Sequence, residues 1–515
     1  MTGLATENTL VRDVADVEAF ARRCFSGSPG DLLGVELEFL VFDRTAPARQ
    51  VPIARIADAL PPLPGGSVVT FEPGGQLELS GPPGPLPGAI ARLTSDVEAV
   101  REALREVGLV LAGVGLDPLR PAWRQLRLPR YEAMAEFLGA PYGALMMCST
   151  ASIQVNLDLG PDPAVRWERA HLLGPVLVAA FACSPLSGSR PCGWMSGRQA
   201  VWERLDPTRT AAVPTTGDPA DAWAEYLLDA RVMAVREPSE REVPGADGNG
   251  SGNGSRERNG SRGGNGSREE NGQRDGNGRH GGSGPGGARR RGNAAHDPDA
   301  HGRDAHDGGG HSRDVHGRGD HDRGGPNGHG GHLPGGVGDH ADGVRYRTVR
   351  DGSTFRDLLA TSRRPPTLED LAYHATTLFP PVRPRGWLEI RYLDAQDPAG
   401  WQVCAAVTHA LVTDDRAADA ALAAAEPCAG VAGMWPRAGR RGLAEPRLRD
   451  AADGCFRAAL EALPRLGASP ELVRDVAAFA DRHVSPGRSP AVDLLELVRG
   501  PEGRLPAWLA GEGRA

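Results

Sequence analysis

Three short segments of this chain place carboxylates where a β-strand usually carries apolar side chains. In Gly34-Val-Glu-Leu-Glu-Phe39, alternation along an extended strand puts Glu36 and Glu38 on one face and Val35, Leu37 and Phe39 on the other. In Phe71-Glu-Pro-Gly-Gly-Gln-Leu-Glu-Leu-Ser80, Gln76, Glu78 and Ser80 share a face, and Glu72 lies just ahead of a Gly-Gly turn. In Gly386-Trp-Leu-Glu-Ile-Arg-Tyr392, Glu389 and Arg391 share a face opposite Leu388 and Ile390. Any one of these reads equally well as a half-solvated strand; three together are hard to ascribe to chance. Carboxylates gathered on one sheet face repel one another and hold their protons more tightly. A divalent cation removes that penalty, and Mg²⁺ in particular takes oxygen ligands and bridges carboxylates to substrate phosphates. An arginine on the same face can grip a phosphate or carboxylate through two parallel hydrogen bonds. The combination predicts metal-supported phosphoryl transfer.

The composition narrows the rest. The 515 residues contain no lysine, so every basic side chain apart from histidine is arginine. That excludes a lysine Schiff base and the phosphate-binding lysine of a P-loop. The net charge of −8 is dispersed, which gives no nucleic-acid footprint. The N-terminus, MTGLATENTLVRDVADVEAF, has no basic stretch followed by an apolar run. The longest apolar stretch, Leu172 to Cys183, is too short for a membrane span and is interrupted by Gly174 and Pro175. The seven cysteines follow no zinc spacing and are odd in number, so reduced thiols in a cytoplasmic protein are expected.

These functional residues need a scaffold, and the sequence supplies it in two blocks around a biased tract. Residues 243–343 are almost wholly Gly, Asn, Arg, Asp, Ser and His. Such a tract cannot bury enough apolar surface to offset its ordering entropy. It carries NGS units, then histidines every five residues from His296 to His321. Five-residue spacing makes no helical face, so a looped-out, disordered insert is preferred over a metal-binding tract. Outside it, helices are predicted over 13–24, 52–60, 90–107, 130–138, 164–181 and 368–376, with Ala- and Leu-rich helices over 400–425 and 449–484. Strands are predicted over 34–42, 67–80, 109–114, 151–157 and 386–392. The order is not strictly βαβ, which favours an α+β fold with an antiparallel sheet, built as a single catalytic domain spanning 1–515.

The runs GVELEF, FEPGGQLELSG, RYEAMAEFLGAPYGALMMCSTASIQVNLD, FACSPLSGSRPCGWMSGRQAVWERLDPTRT and FPPVRPRGWLEIRYLDAQ closely resemble glutamate–cysteine ligases of the plant and bacterial type, in the same order along the chain. Within that family the chain resembles the actinobacterial branch that feeds ergothioneine synthesis. The resemblance implies a curved antiparallel sheet forming an active-site funnel, with helices outside. It implies ATP and Mg²⁺ as requirements, and glutamate, cysteine and ATP as the small-molecule substrates, with no nucleic acid or membrane partner. Phosphorylation of the glutamate γ-carboxyl by ATP would give γ-glutamyl phosphate, and the cysteine amine would then displace phosphate.

By the same resemblance, Glu36, Glu38, Glu72, Glu78 and Glu389 supply metal ligands, with Gln154 close to the metal or phosphate. Arg391 would contact the transferring phosphoryl group, and Arg198 the glutamate. Met147, Ser149 and Thr150 would line the glutamate pocket. Trp401 is placed at the cysteine pocket, against the plainer reading of a core tryptophan at a helix start. His374 stays open between packing and a substrate role, and Cys148 reads as a packed thiol without a base. A related carboxylate–amine ligase with another amine acceptor is the alternative, because the sheet carboxylates do not choose the amine. The family has no counterpart to the insert, and its pocket lysines have no lysine equivalent here.

Overall fold

The computed structural model describes residues 9–237, 345–362, 364–398 and 400–499. The predicted insert, 243–343, lies outside the described residues. The described residues on either side of it pair as short antiparallel strands, Ala234–Glu237 and Arg345–Thr348.

A seven-stranded, wholly antiparallel sheet organises the molecule. Its strands are β1 (Leu33–Asp43), β2 (Val68–Phe71), β3 (Leu77–Ser80), β4 (Leu109–Ala112), β5 (Ser152–Leu157), β6 (Val382–Pro384) and β7 (Leu388–Asp394). The order is β6-β7-β5-β1-β3-β2, with β4 pairing the far half of β1, and the sheet is open. Strand β1 is long enough to carry β3 on residues 36–39 and β4 on residues 40–43.

Period-two alternation divides the sheet into an apolar and a polar face. Val35, Leu37, Phe39, Leu77, Leu79, Ile153, Val155, Leu388 and Ile390 are buried in one continuous core. Helices cover this face. The helix Leu86–Glu106 contributes Leu86, Ile90, Leu93, Val97, Val100 and Leu104, spaced at three and four residues as a single apolar stripe requires. The helix Trp401–Thr413 is buried along almost its whole length in the same core. Burying each large aliphatic side chain there contributes about 2 kcal/mol.

The structure departs from the sequence reading at two places. The predicted helix over 164–181 is two helices, Pro163–Leu172 and Gly174–Phe181, broken where Pro175 cannot donate to the preceding turn. Strand β6 falls in PPVRPRG, a stretch too rich in proline to read as a strand. It is tolerated because β6 is the sheet edge, where a missing N–H costs little. No helix among the described residues is long and apolar enough to cross a membrane.

Candidate active site

The polar face of the sheet gathers the carboxylates. Register sets Glu38 opposite Glu78 and Glu36 opposite Gln154. Glu72 reaches the same place from the turn between β2 and β3. One carboxylate oxygen each from Glu38, Glu72 and Glu78 lie within 4.8 Å of one another. All three residues are half-buried.

The turn is held from several sides. Glu72 donates its N–H to the Gln76 carbonyl at 2.9 Å and accepts from Gly75 at 2.8 Å. Gly75 has φ +91°, and a side chain there would strike the Gln125 amide; one on Gly74 would sit 2.2 Å from the Cys148 carbonyl oxygen. Only glycine fits either position. Gln76 donates to the Thr150 carbonyl at 2.8 Å, which ties the turn to the end of the helix Ala144–Ser149.

Polar neighbours aim each carboxylate. Ser152 donates to Glu38 through both its N–H (2.9 Å) and its hydroxyl (2.8 Å), and the Gln154 amide adds a third bond at 3.1 Å. Thr70 donates to Glu78 at 2.7 Å. Asn156 donates to Glu36 at 2.9 Å.

Despite these donors, the cluster resists ionisation. Loss of hydration in the cleft, reinforced by the Glu38 and Glu78 charges, pushes the Glu72 carboxyl up to about 8. Loss of hydration with the Glu389 and Glu78 charges raises Glu36 to about 7. Glu38 and Glu78 are raised for the same first reason. Four crowded carboxyls, all shifted toward the protonated form, fit a hard divalent cation, which supplies the missing positive charge.

Glu389 is placed differently. It is buried, and Arg383 (2.7 Å), Arg391 (2.9 Å) and Arg385 (3.2 Å) all contact its carboxylate. Burial alone would raise this carboxyl, but the three guanidinium groups hold it well below the usual range. It therefore lies beside the cluster as the centre of an arginine cage. Arg391 sits where the register of β7 on β5 slips between Ile390 and Leu393, an irregularity of the kind that re-aims a side chain. Its guanidinium also donates to Gln154 at 2.5 Å. Arg198 is buried, donates to the Arg391 carbonyl at 2.7 Å and lies 4.3 Å from the Trp202 ring centroid. Its Nη1 has no hydrogen-bond partner among the described residues.

The remaining expected site residues divide. Met147, Ser149 and Thr150 are buried beside the turn, and their hydrogen bonds serve the fold: the Thr150 hydroxyl donates to the Met146 carbonyl at 2.7 Å, and the Ser149 carbonyl accepts from the Asp117 N–H at 2.7 Å. Trp401 requires correction. It is 0% exposed and belongs to the core on the apolar face, because its helix packs there rather than on the carboxylate face. His374 is a packing residue, stacked on Phe355, with Nε2 against the Leu227 carbonyl at 3.0 Å; burial pushes its pKa down to about 3. Burial pushes the Cys148 thiol up to about 11, in keeping with a packed, unreactive cysteine. Ser152, Thr70, Asn156, Arg383 and Arg385 were not singled out in the sequence. A groove of about 740 Å³ lies elsewhere, between the helix Pro129–Leu138 and the strand Arg345–Thr348, and Glu36, Glu38, Glu72, Glu78 and Glu389 do not line it.

Residues 32–507 match the model of glutamate–cysteine ligase family 2. The chain belongs to that family. It is 35% identical over 496 residues to the glutamate–cysteine ligase EgtA of Mycobacterium tuberculosis, covering 94% of this chain and 90% of that protein. It is 36% identical over 482 residues to EgtA of Mycolicibacterium smegmatis, covering 90% and 87%. The chloroplastic glutamate–cysteine ligase of Arabidopsis thaliana is 33% identical over 178 residues, 32% of this chain and 34% of that one.

The carboxylate cluster gives a first testable consequence. Glu36 and Glu72 move from an ordinary value of 4.5 to about 7 and about 8 in the folded chain. The folded state thus binds protons that the unfolded state has released. That contribution to stability is complete below about pH 4.5 and is lost as pH rises through about 7 to 8. A cation held by these carboxylates would take the place of those protons. Added Mg²⁺ should therefore raise the melting temperature of EDTA-treated protein by several degrees at about pH 8.5 and by much less at about pH 5.5. Thermal melts at constant ionic strength measure this, and an equal shift at both pH values would count against a cation at these carboxylates.

Proposed function

We propose that this chain joins the γ-carboxyl of glutamate to the amine of cysteine in an ATP- and Mg²⁺-dependent reaction that supplies γ-glutamylcysteine for ergothioneine synthesis. The observation that carries the phosphoryl-transfer half is the convergence of Glu38, Glu72 and Glu78 within 4.8 Å, beside an arginine cage. The choice of cysteine comes from the family and its EgtA relatives.

Glu38, Glu72, Glu78 and Glu36 would hold Mg²⁺, with Glu389 and Gln154 at the margin. When bound there, the cation would neutralise charge that gathers on the phosphoryl oxygens. Ser152, Thr70 and Asn156 keep the carboxylates turned toward the cleft before any ligand arrives. Arg391 would hold the transferring phosphoryl group, and its other contacts, to Gln154 and Glu389, fix its orientation. Arg198 has a spare N–H at Nη1 in a site with little water, where a substrate carboxylate would be a strong partner. A bare glutamate carboxylate has no adequate leaving group, so phosphorylation to γ-glutamyl phosphate precedes attack by the amine. We place all of this in one catalytic domain spanning 1–515, with 243–343 as a dispensable insert and the cytoplasm as its compartment.

Phosphate release from purified protein with ATP, Mg²⁺, glutamate and a panel of amino acids tests the reading. Cysteine-dependent release is expected, and release with another amine but not cysteine would overturn the acceptor assignment. Removing residues 245–340 should leave that activity intact.

A further inference from the structure

We propose that Trp387 and Asn156 are positioning residues which fix the orientation of Glu36 and, through Arg385, of Glu389. The inference deepens the cation reading above and rests on it.

Trp387 lies in the turn that joins β6 to β7. The turn is tightly held: Arg385 donates its N–H to the Trp387 carbonyl at 2.8 Å, and Gly386 donates to the Cys24 carbonyl at 2.7 Å. Gly386 has φ +83°, where a side chain would be strained. A side chain on Gly27 would meet the Gly386 carbonyl oxygen at 1.8 Å, so the turn is pressed against the backbone at Gly27. The half-buried indole is therefore presented from a fixed base.

Its Nε1 donates to Asn156 Oδ1 at 3.2 Å. An indole N–H is only a donor, so it selects the amide oxygen and not the nitrogen. The amide NH₂ is thereby turned to Glu36, where Nδ2 donates to Oε1 at 2.9 Å. Without the indole nothing in this pair of bonds stops the amide from rotating by half a turn and presenting its oxygen to a carboxylate. Asn156 stands opposite Gly34 on β1 and opposite Glu389 on β7. The missing side chain at Gly34 leaves the amide its room: a Cβ there would already lie 3.4 Å from the Asn156 Cβ.

The face of the same indole lies 5.3 Å from the Arg385 guanidinium carbon, a cation–π arrangement. Arg385 in turn contacts Glu389 at 3.2 Å. One side chain thus fixes a donor to Glu36 through its edge and a cation beside Glu389 through its face. Such supporting contacts behind metal-binding groups tune affinity because they determine which ligand geometry is already in place before the cation arrives.

Titration of EDTA-treated protein with Mn²⁺, followed by the electron paramagnetic resonance signal of the free ion, tests the proposal. Trp387→Phe deletes the N–H and keeps a smaller aromatic ring at the same position; Asn156→Leu deletes both amide bonds and keeps the branching of the side chain. Each should weaken Mn²⁺ binding by roughly 10- to 100-fold. Each should leave the metal-free melting temperature within about 3 °C of the parent, and saturating Mg²⁺ should restore most of the turnover. If the parent binds Mn²⁺ and both variants bind it equally well, the positioning role is overturned and the cation reading stands. If the parent binds no Mn²⁺ under these conditions, the cation reading fails and takes the positioning role with it.

Discussion

Glu72→Gln is expected to lower kcat by about 10³-fold or more, while making the metal-free protein more stable at alkaline pH. The two effects share one origin. Glu72 is the member of the cluster whose carboxyl is pushed to about 8, first by lost hydration and then by Glu38 and Glu78. At a pH near 9 it must carry a charge that its surroundings disfavour, so a neutral amide of the same shape relieves repulsion in the folded state. That relief should raise the melting temperature by about 3 °C. Near pH 5 the parent carboxyl is already protonated, and the gain should vanish. The same amide removes a charged ligand from a trio with little redundancy, so phosphoryl transfer should fail although folding does not. Glu38→Gln makes an informative contrast. Ser152 donates to Glu38 through both its N–H and its hydroxyl. An amide there must turn one donor against another, and its stability gain should be smaller or absent. Melts of both variants in EDTA at two pH values, alongside cysteine-dependent phosphate release, measure all of this. Turnover within tenfold of the parent for Glu72→Gln would remove Glu72 from the catalytic cluster.

The sheet was legible in the sequence because its signal is local. Alternation in GVELEF and LELS is set by the pleat itself, and so is the sharing of a face by Glu36 and Glu38 or by Glu389 and Arg391. The convergence of β1, β3, β5 and β7 on one face needed only that their apolar residues go to the other side. What could not be read was the set of partners each carboxylate acquires from a neighbouring strand. Ser152 is an unremarked serine in STASIQVNLD until the β1–β5 register brings it to Glu38. Thr70 becomes a donor to Glu78 only through the β2–β3 pairing. Arg383 and Arg385 sit in a proline-rich run that reads as a loop, so the cage around Glu389 had no signal in the local pattern. Trp401 shows the opposite limit. The resemblance put it at a pocket, but a segment that follows a strand can turn to either face, and this one carries its helix to the apolar side.

Arg391→Lys is expected to reduce kcat by roughly 10³-fold while leaving the fold and the cation affinity nearly intact. Arg391 spans two partners, Gln154 and Glu389, from one planar group, and its Nε is buried with no hydrogen-bond partner among the described residues. Burial works against its charge, but Glu389, Glu36 and Glu38 keep its pKa above the ordinary value, so the group remains a cation. A lysine ammonium is a point charge on a flexible stem: it can meet one of these acceptors well, but it cannot present a fork to a phosphoryl group while holding both. The fold should survive because Glu389 keeps Arg383 and Arg385, and Arg383 also donates to the Leu378 carbonyl at 3.1 Å. Mn²⁺ titration of the variant should stay within about threefold of the parent, because the positive charge is kept and the donors that aim Glu36, Glu38 and Glu78 are Asn156, Ser152, Gln154, Thr70 and Ser80, not Arg391. That pairing of results separates an arginine that acts on the phosphoryl group from one that only braces the metal cluster. A matching fall in Mn²⁺ affinity would assign Arg391 to the cluster's support, and retained turnover would remove it from phosphoryl transfer altogether.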